Sequence, residues 1–355
     1  MKIPLHVKIR KQLRALLYKL LALFKPQQQK QHSLNKDEIH SIVIIRPNYR
    51  IGNLILLTPL INELHKELPH AKIDLIVGMK LAGDILQEMP NVENVYAISR
   101  DLLKKPWELF GFIQKIRSKR YDLALNITAG SVSSELATLL VNAKYKASFE
   151  HKKTFIPLTH TVKVENLYTH AGSKAIELLK LFTQELPTHN VPLDIKLTQE
   201  ELNEGKSILQ TLLKGKKQPS YTIALFRNAR FDKKIADSWW REWYDELLEF
   251  DENIVVIDIL SPDIPTKLHE NMLEYGNKNL RLLGAVFKAC DLYVSADTGP
   301  LHLATASRAN AFALFNATHI QKFGTLGENN ITIDINSLSP QEVAQQIYLY
   351  LKKEI

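Results

Sequence analysis

The segment over residues 292–306 combines an apolar strand with a turn that suits an anionic ligand. Residues 297–299 (Asp-Thr-Gly) predict a sharp turn, and an Ala- and Leu-rich helix begins at or near Pro300. A helix that starts directly after a parallel strand carries free N–H groups and the positive end of its dipole, and this geometry binds phosphate. Asp297, at the carboxyl end of the strand, can accept hydrogen bonds from sugar hydroxyls. The turn therefore suits a nucleotide-sugar, and the alternative interpretation is a capping Asp297 with a core-facing His302.

Alternating strands and helices must position this turn. Helical patterns alternate with apolar runs, and a long helix is predicted over residues 166–186. Strands separated by helices of about 10–15 residues indicate βαβ units and parallel sheets. The predicted fold class is therefore α/β, with two Rossmann-like, doubly wound domains that face each other across a cleft. The predicted strands cover residues 41–45, 72–78, 95–99, 122–128, 221–226, 253–260, 280–283, 292–296, 311–315 and 331–335.

Prolines and glycines between residues 187 and 220 mark the predicted division between the domains. A chain of 355 residues is long enough for two domains that each bury a core. The predicted organisation is a basic amphipathic arm and linker over 1–37, a first Rossmann-like domain over 38–190, an interdomain linker region over 191–219, a second, nucleotide-sugar-binding domain over 220–338 and a C-terminal helix over 339–355.

The net charge of +8 is concentrated in the N-terminal arm. Residues 1–36 contain seven Lys, two Arg and no acidic residue, which leaves a net charge of −1 for residues 37–355. This distribution argues against a nucleic-acid-binding fold. The single cysteine, Cys290, excludes an intramolecular disulfide and favours a reducing compartment such as the cytoplasm.

Residues 3–25 alternate apolar and basic side chains at helical spacing. The pattern predicts a basic amphipathic helix that lies on an anionic membrane surface, because its uncharged runs are too short to span a bilayer. Two alternatives stay open: a helix packed on the protein's own body, and a signal peptide. Lys19 and the absence of a small-residue cleavage site count against the signal peptide.

Several motifs that define other chemistries are absent from the sequence. No G-x-G-x-x-G follows a strand and no P-loop occurs, so neither a dinucleotide cofactor nor P-loop chemistry is indicated. No H-E-x-x-H, no paired Cys and no Asp-x-Asp occur, which argues against a metal site. We therefore expect no cofactor and no metal, and a pyrophosphate would have to be held by N–H groups and basic side chains.

Three segments together resemble glycosyltransferase family 9, the ADP-heptose:lipopolysaccharide heptosyltransferases. The first covers residues 46–69 and includes Ile51-Gly52-Asn53, and the second covers residues 226–247 and includes the run from Arg227 to Lys234. The third covers residues 297–306 and is followed by Ala313–Thr318. The order and spacing of the segments match the family over roughly residues 41–350.

The resemblance implies a GT-B architecture with the donor bound by the second domain, the acceptor by the first, inversion at the anomeric carbon and no metal. It assigns catalytic roles to Asp297, which would hold the donor sugar, and to Lys233, which would offset charge on the departing diphosphate. For Lys233 and Lys234, the alternative to a role in phosphate binding is a pair of solvated surface charges. For His302, the alternative to contact with the diphosphate is packing within its own helix. The donor-binding residues are expected to be Arg227, Lys234, Thr298, Gly299, Pro300, Leu301 and His302.

The sequence departs from the family at Asn53, the third position assigned to catalysis. The family's usual residue there is an Asp that resembles a general base, and an amide cannot take a proton at neutral pH. Another carboxylate or His could be the base, Asn53 could only orient the acceptor while the leaving group drives the reaction, or activity could be lost. In the same loop, Arg46, Arg50 and Gly52 are the expected acceptor-binding residues, and the arginines suit anionic groups.

The function that these features favour is an inverting, metal-independent transfer of heptose, or a related sugar, from a nucleotide diphosphate to a lipopolysaccharide core or lipid-linked acceptor. ADP-heptose is the donor that the resemblance implies. The enzyme would be cytoplasmic and peripheral on the inner membrane, held at the anionic surface through residues 1–25. A non-catalytic nucleotide-sugar-binding or scaffold protein of cell-envelope glycan assembly is the alternative, and a two-domain nucleotide-sugar epimerase is a more distant one.

Overall fold

The computed structural model describes residues 33–354, apart from the side chain at position 84. These residues form two compact α/β units. The first contains residues 33–50, 60–167 and 174–188, and the second contains residues 51–59, 168–173 and 189–354. The amphipathic helix predicted over residues 3–25 lies outside the described residues.

Each unit is built on a six-stranded parallel sheet. The first sheet contains β1 (Ser41–Arg46), β2 (Lys72–Val77), β3 (Val92–Ala97), β4 (Arg120–Asn126), β5 (Asn142–Phe149) and β6 (His160–Val162). The second contains β7 (Thr222–Phe226), β8 (Val255–Ile259), β9 (Leu273–Tyr275), β10 (Leu292–Ala296), β11 (Ala311–Phe315) and β12 (Asn330–Asp334).

Helices connect the strands. They are α1 (Ile51–Ile55), α2 (Thr58–Glu67), α3 (Ala82–Leu86), α4 (Pro106–Ser118), α5 (Val132–Leu140), α6 (Gln199–Leu213), α7 (Asp237–Phe250), α8 (Leu280–Ala289), α9 (Gly299–Ala306), α10 (Ile320–Phe323) and α11 (Pro340–Leu351). Four short 3-10 helices cover Lys36–Glu38, Leu102–Lys104, Lys174–Leu181 and Phe231–Lys233. Among residues 33–354, no helix combines the length and the apolar character needed to cross a bilayer.

The two sheets have the same strand order. The first runs β3-β2-β1-β4-β5-β6, and the second, read from β9, runs β9-β8-β7-β10-β11-β12. In both, the first strand of the unit lies beside the fourth, and the chain winds outward in opposite directions from that pair. This is the Rossmann order, in which ligands dock at the carboxyl ends of the two central strands. The prediction of two parallel α/β folds is confirmed.

Continuous apolar strands are buried on both faces, which explains their nearly uniform hydrophobic sequences. Every residue of β7, β10 and β11 is buried. Trp240 and Trp243 of α7 are fully buried in the core of the second unit. The core of the first unit packs Val43 and Ile45 of β1 against Ile116 of α4.

Five elements differ from the sequence expectations. Residues 280–283, predicted as a strand, form the first turn of α8, because Asn279 caps the amides of Arg281 and Leu282. The helix predicted over residues 166–186 is reduced to the 3-10 helix Lys174–Leu181. Its buried Glu177 accepts the backbone N–H groups of residues 165 and 167, so the preceding chain is held in a loop. Strands β5, β6 and β9 were not predicted, since none of them contains a long apolar run.

Helices α6 and α8 approach closely at a glycine. A Cβ atom added to Gly205 of α6 would lie 2.6 Å from the backbone of Ala285 in α8. The contact therefore requires glycine, although glycine is a poor residue in a helix interior.

We predict that Gly205→Ala destabilises the second unit by about 1–3 kcal/mol, because the added methyl group forces the helices apart. Urea denaturation followed by circular dichroism measures this change. Gly111→Ala in α4 is the matched control: its Cβ would meet nothing within 4 Å, so higher helix propensity should stabilise the protein by up to about 1 kcal/mol. A Gly205→Ala protein as stable as the parent would contradict the packing argument.

Candidate active site

The carboxyl ends of β7 and β10 carry the side chains for which chemistry was predicted. These strands are the central neighbours of the second sheet. The chain after β7 leads to Lys233, and Asp297 follows β10 directly, before α9 begins at Gly299. Lys233 and Asp297 therefore lie at the position where open α/β sheets bind ligands.

Asp297 is the centre of a buried polar cluster. Its carboxylate is 5% exposed, and Lys233 Nζ lies 2.8 Å from Oδ2. Lys233 Nζ also donates to the Asp297 carbonyl oxygen at 3.2 Å, and the Thr318 hydroxyl donates to Oδ2 at 2.7 Å. The contacts to Oδ2 hold the carboxylate in one orientation and offset its charge, as burial requires.

The first turn of α9 presents fewer free amides than the sequence suggested. The Thr298 hydroxyl caps the helix by accepting the N–H of Leu301 at 3.2 Å, and Pro300 has no N–H. Within residues 33–354, the N–H groups of Thr298 and Gly299 meet no protein acceptor. These two amides lie at the positive end of the helix dipole, where an anion would be favourable.

His302 lies on the inner side of α9, with Nε2 3.8 Å from Asp297 Oδ1. Burial is the main cause that lowers the pKa of His302 to about 4; the Asp297 carboxylate opposes this shift, and the Lys233 ammonium contributes to it. The imidazole is therefore neutral at pH 7. The sequence left two interpretations of His302, a donor-binding residue and a residue that packs within its helix. The side chain is buried against its helix and also lies close to Asp297, so these two interpretations do not exclude each other.

Helices α1 and α9 pack against each other through two glycines of the second unit. A Cβ on Gly52 would lie 2.7 Å from His302 Cδ2, and a Cβ on Gly299 would lie 2.5 Å from Ile51 Cγ2. Neither position has room for a side chain. This packing places Asn53 in the helix that contacts α9.

Arg227 and Lys234 lie in different environments from Lys233. Arg227 is buried: its Nε donates to Asp258 at 3.0 Å, and its other nitrogens bond Asp237 and the carbonyl of Thr266. Burial raises the pKa of Asp258, and Arg227 opposes this shift. The guanidinium thus ties together β7, β8 and the loop after β8. Lys234 is exposed to solvent.

Arg46 and Arg50 belong to the first unit. Arg46 ends β1, and its buried Nε has no hydrogen-bond partner among the described residues. Burial lowers the pKa of Arg46 to about 10, so the guanidinium stays charged at pH 7. The Arg50 side chain is exposed, and its backbone N–H donates to the Asn48 side chain at 2.9 Å. A buried donor without an acceptor suits an anionic ligand group.

Two residues near the cluster were given no role by sequence reasoning. Thr318 follows β11, next to β10, so the rule that singled out Asp297 also applies to it. Phe231 is 82% exposed and has a φ of 58°, a left-handed conformation that is unfavourable for a bulky side chain. It lies two residues before Lys233. Backbone strain of this kind concentrates at functional sites, and no sequence pattern signals it.

The Glyco_transf_9 family model, described as glycosyltransferase family 9 (heptosyltransferase), matches residues 109–350 of the chain. The match covers more than half of the sequence and includes the Lys233–Asp297 cluster. The chain belongs to glycosyltransferase family 9. Within the described residues, no group of three His, Cys, Asp or Glu side chains is arranged to hold a metal ion.

Family 9 relatives support this assignment. The chain is 25% identical over 285 residues to lipopolysaccharide heptosyltransferase 3 of Escherichia coli, covering 75% of this chain and 81% of the relative. The E. coli heptosyltransferase WaaC with ADP superimposes with a TM-score of 0.68 at 19% identity, covering 89% of this chain and 100% of WaaC. E. coli ADP-heptose LPS heptosyltransferase II gives 0.70 at 18% identity, covering 89% and 99%. The two parallel-sheet units and these structures fit the GT-B architecture.

We predict that this family 9 protein loses stability as the pH falls from about 6.5 towards 4. Burial lowers the pKa of both His302 and His170 to about 4, below the value of about 6.5 in an unfolded chain. The unfolded state therefore binds more protons in this window, and stability rises with pH by about 1.4 kcal/mol per unit for each histidine.

His302→Gln should remove one of these two contributions, so that the free energy of unfolding changes less between pH 7 and pH 5. Urea denaturation at both pH values measures the difference. His319→Gln, which replaces an exposed histidine, is the control and should leave the slope unchanged. Equal slopes for the His302→Gln and parent proteins would mean that His302 does not control this pH dependence.

Proposed function

We propose that this glycosyltransferase transfers heptose from ADP-heptose to a lipopolysaccharide core acceptor, with inversion at the anomeric carbon and without a metal. The observation that carries the proposal is the contact of Lys233 Nζ with Asp297 Oδ2 at 2.8 Å, beside the first turn of α9. A cation, a carboxylate and two amides lie together at the sheet position that binds nucleotides. The names of the relatives, a lipopolysaccharide heptosyltransferase and an ADP-heptose enzyme, support the choice of donor and acceptor.

Asp297 would hold the donor sugar and Lys233 the diphosphate. A carboxylate next to a diphosphate is repulsive unless a cation lies between them, and Lys233 already contacts Asp297. The free oxygen, Oδ1, can then accept hydrogen bonds from sugar hydroxyls. The amides of Thr298 and Gly299 would bind a phosphate oxygen.

In the reaction, an acceptor hydroxyl oxygen forms a bond to the anomeric carbon while the bond from that carbon to the diphosphate oxygen breaks. Negative charge develops on the departing diphosphate, where Lys233 and the α9 amides are fixed in advance. Attack from the face opposite the leaving group inverts the anomeric centre. Charge stabilisation of this kind would not need a metal ion.

The hydroxyl proton would pass to water or to the departing diphosphate, because the Asn53 amide is not a base at neutral pH. We assign Asn53 the role of orienting the acceptor hydroxyl. Its helix, α1, packs on α9 through Gly52, which supports a position near the reacting groups. The leaving group would then supply most of the driving force.

Arg46 and Arg50 would bind anionic groups of the acceptor. The unpartnered Nε of Arg46 supports this role, since a buried cation gains most from an anionic ligand. The basic arm over residues 1–25 would hold the enzyme at the cytoplasmic face of the inner membrane, close to a lipid-anchored acceptor in that leaflet.

We predict that Asp297→Asn lowers the transfer rate by about 100-fold or more, because the amide removes the charge that orders Lys233 and the sugar hydroxyls. The assay follows ADP release from ADP-heptose in the presence of a core acceptor. Asp291→Asn is the control, since Asp291 precedes β10 and bonds Thr222. It should retain activity. Full activity of Asp297→Asn would refute the assignment.

Lys233→Ala should lower the transfer rate more than Lys233→Arg, which keeps a positive charge near the leaving group. Lys234→Ala should cause a smaller loss than Lys233→Ala, because Lys234 is exposed and Lys233 is bonded to Asp297. Steady-state kinetics with a fixed acceptor concentration compare the three variants. Equal losses for the two alanine variants would show that position 233 has no special role.

The complete proposal is tested with the purified full chain, ADP-heptose and a heptose-containing core oligosaccharide. The expected products are ADP and an extended core whose new linkage has the inverted configuration by NMR. Donor binding without transfer, with no gain from Asn53→Asp, would instead indicate a nucleotide-sugar-binding protein. Activity abolished by a chelator and restored by a divalent cation would overturn the metal-independent mechanism.

A further inference from the structure

Large apolar side chains are exposed on the first unit, in and just before α4. Leu103, Trp107 and Phe110 are 52%, 86% and 56% exposed, and every residue from 103 to 108 is exposed. We call these three side chains the Trp107 surface. Single exposed apolar residues are ordinary, but three neighbours that include a tryptophan indicate a surface with a partner.

These residues are not needed by the core, because α4 packs on the sheet through another face. Ile116 is buried, and Phe112 packs edge-on against Tyr96 of β3. At 100° per residue, Trp107 and Phe110 lie roughly on the opposite side of the helix from Phe112 and Ile116. The outward side is open, since a Cβ on Gly111 would meet nothing within 4 Å.

The segment that carries the Trp107 surface is rich in basic residues. Residues 100–120 contain seven Lys or Arg and two acidic residues, a net charge of +5, whereas residues 37–355 together sum to −1. Lys104 and Lys105 lie between Leu103 and Trp107. Their contacts with Asp101 and Glu108 are fully exposed ion pairs, which contribute little and exchange easily.

We propose that the Trp107 surface binds an anionic lipid bilayer, with the apolar side chains at the headgroup boundary and Lys104 and Lys105 on lipid phosphates. Tryptophan and phenylalanine flanked by lysines are the residues that occupy this boundary. Each lysine near an anionic surface adds favourable electrostatic energy. The contact is separate from the arm over residues 1–25 and does not depend on which sugar is transferred.

The charges favour lipid over the other possible occupants. The arm carries nine positive charges and no negative charge in residues 1–36, so the basic segment over residues 100–120 repels it. A second copy of the chain, paired through the same surface, would bring two copies of this basic segment close together. An anionic bilayer satisfies both the apolar and the basic residues.

The distribution of tryptophans allows a direct test with the full chain. The four tryptophans are Trp107, Trp239, Trp240 and Trp243, and the arm contains none. Trp240 and Trp243 are fully buried, and Trp239 packs partly buried against them. Vesicles of phosphatidylglycerol and phosphatidylcholine with brominated acyl chains should therefore quench Trp107 selectively. Quenching should disappear in Trp107→Phe and in vesicles of brominated phosphatidylcholine alone.

Matched variants separate the apolar contacts with the bilayer from the electrostatic ones. Trp107→Ser with Phe110→Ser, and Lys104→Glu with Lys105→Glu, should each lower partitioning to anionic vesicles by about tenfold. Val164→Ser with Leu167→Ser removes exposed apolar side chains elsewhere in the first unit and should have little effect. The control for the charge reversal is Lys216→Glu with Lys217→Glu, which makes the same charge change on an exposed loop of the second unit and should also have little effect.

Three results would overturn the proposal. Vesicle binding without quenching of Trp107 would mean that the arm alone contacts the bilayer. Quenching that persists in Trp107→Phe would come from Trp239 and point to another surface. A monomer mass for Trp107→Ser with Phe110→Ser, where the parent sediments as a dimer, would assign the surface to a second copy.

Discussion

The ion pair between Lys233 and Asp297 is the interaction on which the candidate site of the second unit depends. A carboxylate that is 5% exposed needs a cation and hydrogen-bond donors, and Lys233 and Thr318 supply both. The pair joins the loop after β7 to the end of β10, so the two central strands of the sheet fix its geometry. The same charge balance is what would let a sugar-binding carboxylate coexist with a departing diphosphate.

Close packing at glycines fixes the surroundings of this pair. Because Gly52 and Gly299 have no side chains, the side chains of His302 and Ile51 fill the contact between α1 and α9, and His302 is enclosed there as a neutral imidazole. If His302 were protonated, two cations, His302 and Lys233, would lie close together in a buried site. The low pKa of His302 keeps the imidazole neutral, so this repulsion does not arise. The enclosed histidine therefore keeps Lys233 as the cation that faces the carboxylate.

Positive charge is distributed unevenly along the chain, and the two kinds of ligand proposed for it need different arrangements of charge. The arm is strongly basic, whereas residues 37–355 are close to neutral in total. Within that nearly neutral part, the region around α4 is basic. A nucleotide-sugar would be bound by a few placed groups of the second unit. A lipid surface, in contrast, is recognised by clustered basic and aromatic residues whose exact geometry matters little.

The sequence by itself determined the fold class, because continuous apolar strands alternating with amphipathic helices fit few arrangements other than a parallel α/β sheet. It also determined that Asp297 and the start of α9 would lie at the carboxyl end of a strand, since the strand, the turn and the helix are consecutive in the chain. Local signals failed at residues 280–283, where the Asn279 cap outweighed an apolar run, and at residues 166–186, where the Glu177 carboxylate holds the preceding chain in a loop.

Only the tertiary structure decided which predicted residues meet. Lys233 and Lys234 are equivalent in sequence, yet Lys233 alone bonds Asp297, because the direction of each side chain depends on the path of the loop after β7. Arg227 joins a buried network with Asp258, a contact between strands that no local pattern encodes. The exposure of Trp107 is likewise a property of packing: its helix has apolar residues on two faces, and only the sheet determines which face is buried.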